Sequence, residues 1–97
     1  MVKKALFVRL KAKAGKEAEV EKFLNSGLQL VEDEPLTVDW YALKFDDSTF
    51  GIFDTFDGEE RRDVHLNGKI AETLMANADT LFAESAKIEK VDVLAAK

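Results

Sequence analysis

Two neighbouring segments constrain this chain more than any other feature. Residues 36–45 (Leu-Thr-Val-Asp-Trp-Tyr-Ala-Leu-Lys-Phe) and 49–56 (Thr-Phe-Gly-Ile-Phe-Asp-Thr-Phe) are rich in aromatic and β-branched residues. Asp46-Asp47-Ser48 between them supplies turn chemistry, which predicts a β-hairpin. Side chains alternate across a strand, so Val38, Trp40 and Ala42 point one way while Tyr41, Leu43 and Phe45 point the other. In the next strand Phe50, Ile52 and Phe56 oppose Phe53. Large side chains on both faces require that both faces be covered. An antiparallel sheet with one face in water would alternate apolar with polar instead.

The flanking segments show what covers the first face. Residues 5–12 alternate as a strand, with Leu6, Val8, Leu10 and Ala12 on one side and Phe7, Arg9 and Lys11 on the other. From Glu17 the period becomes helical, with Val20, Phe23, Leu24, Leu28 and Val31 three to four apart. Gly27 weakens the second half of that helix, and Pro35 closes it by disfavouring helix at Glu34. After the hairpin, Asp57 and Glu60 have capping-box spacing for a second helix running to about Met75. A further helical turn capped by Asp79 is expected over 79–84, and Ile88, Val91, Val93 and Leu94 fit a last strand. The order β-α-β-β-α-β is satisfied by one antiparallel sheet with two main helices on a single face, the ferredoxin-like α+β architecture.

That leaves the second face. With 97 residues the chain suits one domain, 1–97, and has nothing left to cover it. A second copy of the sheet is the economical cover, so a homodimer through the sheet faces is expected. The net charge is −5, with no basic run, which disfavours nucleic acid and anionic membrane as partners. No apolar stretch reaches 18 residues and the N-terminal apolar run is too short for a signal peptide, so a cytoplasmic location is expected. There is no cysteine, which excludes disulfides, thiolate metal sites and a cysteine nucleophile. The single histidine excludes multi-histidine zinc sites, and no phosphate loop, serine elbow or metal-ligand spacing is present.

The candidates for chemistry are therefore few. His65 alone has a pKa naturally near neutrality. In a continuous helix the Leu66–Ile70–Leu74 stripe faces the core and His65 points nearly opposite, toward solvent. A bend at Asn67-Gly68 would turn it toward the sheet instead. Trp40 and Tyr41 project to opposite faces, and each carries a polar handle suited to a pocket wall. Arg9 and Asp54 are charges inside apolar strands and need a partner or a wet cavity. Arg9 is placed to pair across a dimer interface or to reach an anionic ligand group. Glu59-Glu60-Arg61-Arg62-Asp63 reads as a solvated helix start.

Trp40-Tyr41-Ala42-Leu43, the run from Thr49 to Phe56, and Val64-His65-Leu66, with Gly15 and Pro35 at their turns, give the chain a family likeness. It resembles the antibiotic biosynthesis monooxygenase-like domain of the dimeric α+β barrel superfamily. The resemblance implies a homodimer with a pocket in each protomer between sheet and helices. It also implies a cofactor-independent monooxygenase acting on a small quinol or polycyclic aromatic molecule, whose own carbanion reduces oxygen. In that reading His65 is the acid/base or substrate anchor. Trp40, Tyr41 and Phe53 supply pocket wall, and Arg9 steadies an oxyanion or carboxylate. The alternative is a non-catalytic dimeric domain that binds a small hydrophobic ligand. A third reading is haem binding or degradation. Haem-degrading relatives carry an asparagine on the first strand and a tryptophan before the second helix. Here Phe7, Val8 and Arg9, then Phe53 and Phe56, stand in those places, and only His65 matches.

Overall fold

A computed structural model describes residues 2–97. The elements run β1 (Lys4–Lys11), α1 (Glu17–Glu32), β2 (Thr37–Lys44), β3 (Thr49–Phe56), α2 (Glu59–Leu66), α3 (Lys69–Leu81) and β4 (Lys87–Asp92). The four strands form one sheet in the order β2-β3-β1-β4, and every neighbouring pair is antiparallel. This is the ferredoxin-like arrangement, with the second helical segment divided in two.

The periodicities explain the core. Val8 and Leu10 from β1 and Phe50 and Ile52 from β3 are buried against Val20 and Leu24 of α1 and Leu74 and Leu81 of α3. The hairpin turn is held by Asp46, whose Oδ1 accepts from the backbone N–H of Ser48 at 3.0 Å and of Thr49 at 2.8 Å. Among the described residues no helix is long and apolar enough to cross a membrane.

Three local expectations are corrected. The second helix begins at Glu59 with Gly58, not Asp57, as its N-cap, and no side chain caps it. The turn expected at 79–84 is instead the end of α3, which runs unbroken to Leu81 before Phe82 turns extended. The apolar residues of α3 continue through Leu81, and packing on the sheet extends the helix past Met75. The last strand ends at Asp92. The Val93 N–H still donates to the Lys3 carbonyl at 2.9 Å, whereas Leu94 is 93% exposed.

The sheet face away from the helices carries Phe7, Arg9, Tyr41 and Phe53. Phe45 folds over that face, with its ring 6.2 Å from that of Phe7, edge to face. The Arg9 guanidinium lies 4.6 Å from the centre of the Phe45 ring and 5.4 Å from that of Phe7. Tyr41 and Phe45 are about half exposed.

Candidate functional site

The break between α2 and α3 decides where His65 goes. α2 ends at Leu66, and the Gly68 N–H closes the turn by donating to the His65 carbonyl at 2.9 Å. A Cβ on Gly68 would stand 3.2 Å from that same oxygen, so a side chain here would require the turn to give by a few tenths of an ångström. The short helix can then roll independently of α3. His65 faces the sheet and is only 6% exposed.

Two carboxylates hold the imidazole. Nε2 lies 2.9 Å from Asp54 Oδ2 on β3, and Nδ1 lies 2.8 Å from Glu34 Oε2, in the loop after α1. The Thr37 hydroxyl donates to the same Glu34 oxygen at 3.0 Å and stands 3.3 Å from His65 Nδ1. The Phe56 ring covers the imidazole at a centroid distance of 5.1 Å. An ionised carboxylate can only accept, so a ring bonded to carboxylates at both nitrogens is the doubly protonated imidazolium. Burial works against that charge, but the hydrogen bond and charge of Asp54, and then those of Glu34, outweigh it. His65 is accordingly raised above the usual histidine value. Burial also raises Asp54, against the pull of His65.

The trio is not saturated. Glu34 Oε1 and Asp54 Oδ1 are buried without a hydrogen-bond partner, and so is Trp40 Nε1. Trp40 and Asp54 are opposite each other in the β2–β3 ladder and share the helix-facing side. An orphaned buried polar atom is costly, and of these three residues Glu34 is the one that borders a cleft beside His65 with room for a ligand.

His65 and Glu34 open onto a cleft of about 470 Å³, whose apolar wall includes Leu30, Pro35, Leu36, Val64 and Ile70. Leu30 and Ile70 separate it from a deeper apolar cavity bordered by Trp40, Gly27 and Ile52. That inner cavity measures only about 30 Å³ and holds no more than a water molecule. The pocket expected between sheet and helices is therefore nearly filled, and the usable space lies at its His65 end.

Of the residues singled out in the sequence, the fold brings Trp40 to the helix side with His65. Arg9, Tyr41 and Phe53 lie on the other face and border neither cavity. The parity of the strand makes this unavoidable once Trp40 is inside. Arg62, read as part of a solvated run, is buried. Its Nη1 donates to the carbonyls of Ala5 at 3.3 Å and Val91 at 3.2 Å, tying α2 to β1 and β4. Glu34 and Thr37 carried no signal of their own, although Pro35 already marked the place where the chain turns.

The comparisons with known proteins give the fold a context. A crystal structure of NE2512, a protein of unknown function from Nitrosomonas europaea, superposes with a TM-score of 0.97 at 57% identity, covering 100% of this chain and 94% of that one. The two chains belong to one family. Its fold is that of the antibiotic biosynthesis monooxygenase-like proteins. A protein described as an antibiotic biosynthesis monooxygenase matches with a TM-score of 0.80 at 12% identity, covering 95% of this chain and 99% of that one. Rv0793 from Mycobacterium tuberculosis gives 0.83 at 12% identity, with 97% of each chain covered. No family model matches the chain, and no curated protein does. Among the described residues, no group of three or more His, Cys, Asp or Glu side chains is arranged to hold a metal.

Proposed function

We propose that the chain is a small cytoplasmic oxygenase-like enzyme whose Glu34–His65–Asp54 trio deprotonates a hydroxyl-bearing aromatic molecule in the 470 Å³ cleft. The observation that carries this reading is one buried imidazole clamped between two carboxylates at the base of an apolar cleft. Because His65 already holds its proton, it acts as acid and electrostatic anchor. Glu34, with Oε1 free, is the base. The substrate hydroxyl passes its proton to Glu34, and the imidazolium beside it steadies the resulting anion. The fold, shared with proteins bearing the monooxygenase name, supports oxygen as the oxidant. The delocalised anion, as its carbanion form, supplies the electrons. One oxygen atom enters the ring carbon as a carbonyl, and the other leaves as water with the hydroxyl proton taken up by Glu34 and the one hydrogen that carbon loses. No cofactor is needed for that balance.

The test is oxygen uptake with 1,4-naphthoquinol and with anthrone, by the wild type and Glu34→Gln. The expected result is turnover above the uncatalysed rate, reduced about 100-fold or more in the variant. Equal rates for wild type, variant and buffer would overturn the proposal.

One observation favours a second reading, a binding domain without turnover. Both imidazole nitrogens are already engaged, leaving no lone pair for proton relay through the ring. It predicts that naphthoquinol perturbs the His65 resonances without being consumed. The same saturation argues against haem, since an axial histidine needs a free ring nitrogen.

A further inference from the structure

The ladder between β2 and β3 contains an irregularity whose position matters. Thr37 pairs with Phe56 and Asp39 with Thr55, so Val38 is an extra residue with no partner. In a regular strand, Thr37 would share a face with Asp39 and Tyr41, away from the helices. The bulge reverses this parity and puts Thr37 on the side of Phe56, beneath α2.

We infer that Thr37 is a positioning residue, turned inward by the Val38 bulge to aim the Glu34 carboxylate. This rests on the reading of the trio given above. A hydroxyl has one proton to give, and Thr37 gives it to Glu34 Oε2 at 3.0 Å, the oxygen that also accepts from His65 at 2.8 Å. The terminal torsion of a glutamate is broad and nearly two-fold, so a single donor fixes it poorly. Two donors on Oε2 select one orientation and leave Oε1 as the unpartnered oxygen. Pro35 lies between Glu34 and Thr37, and its fixed φ restricts how far the loop relaxes. Asp54 faces His65 from β3 and Glu34 faces it from the loop after α1. Asp33, beside Glu34, and Lys69 of α3 border the same cleft, and Arg62 lies one turn back on α2.

His65 is the only histidine, so its imidazole protons titrate in NMR without overlap. Thr37→Val keeps the branched shape of the strand residue and removes the hydroxyl. Glu34 then leaves Nδ1 for part of the time, and the His65 midpoint falls from its wild-type value. Thr37→Ala, which demands less of the packing, gives the same downward shift, and Thr37→Ser restores the wild-type midpoint. The inference is overturned if Thr37→Val titrates as wild type or if Thr37→Ser shifts as far as Thr37→Val. It is also overturned if the Val and Ala variants both fail to fold, since the hydroxyl would then hold the fold and not the carboxylate. None of these readouts needs turnover, so a failure of the oxygenase proposal would leave the role of Thr37 standing, and the reverse also holds.

Discussion

At the scale of single residues, His65 is where stability and chemistry meet. A buried carboxylate, Asp54, and a part-buried one, Glu34, are tolerable beside one imidazolium and costly without it. Truncation by His65→Ala should therefore cost about 3–5 kcal/mol, measured by urea unfolding, because Asp54 and Glu34 are left uncompensated. The pH dependence has a definite sign. His65 is raised in the folded state above the free value of 6.5, so its contribution is fully present below pH 6.5 and is lost as pH rises through the folded value. Asp54, also raised, runs the same way from its own free value of 3.8. Wild-type stability should thus decline on the alkaline side of pH 6.5, and a His65→Gln variant should show no such decline there. An equal slope in both proteins would assign the decline to other groups.

At the scale of elements, α1 carries a glycine where helices ordinarily avoid one. Gly27 lies inside the helix, and a Cβ there would meet the Trp40 ring at 3.4 Å, an ordinary contact distance. Gly27→Ala should therefore recover most of the helix-propensity gain, stabilising the protein by about 0.5–1 kcal/mol in the same unfolding assay. It should also narrow the inner cavity beside Trp40. A destabilised variant would mean that the ring has no room to give. The elements themselves were largely readable, because period two and period 3.6 alternate cleanly from β1 to β3. The site was less so. Asp54 stood out as a charge in an apolar strand and His65 as the lone histidine, but nothing in either segment says that they meet. Their pairing depends on the roll of α2 after the Gly68 turn, a tertiary matter. Glu34 looked like the residue before a proline and nothing more. Thr37 was unreadable for a sharper reason: an inserted ladder residue leaves no mark on composition yet flips the parity of everything before it.

At the scale of the whole molecule, the helix-free sheet face is the surface open to a partner. Phe7, Phe45 and Phe53 gather there with Tyr41 and Leu43 from β2, and Arg9 stacks on two of the rings. A stacked guanidinium is less strongly hydrated than an ammonium and loses less when covered, so Arg9 does not bar this face from an interface. The three candidates that do not reach the cleft, Arg9, Tyr41 and Phe53, share this surface. We propose that they serve association between two copies of the chain. An ordinary specific interface would cover about 800 Å² on each copy. Native mass spectrometry should give twice the 10.9 kDa chain mass for the wild type. Phe53→Lys places a charge at the centre of the face, beside Phe7 and Tyr41 in the ladder, and should shift the species to the single-chain mass. His65 and Glu34 lie on the far side of the sheet, so the variant's His65 titration should match the wild type. A wild type found as a single chain would remove the dimer, and a dimer unmoved by Phe53→Lys would relocate the interface to another surface.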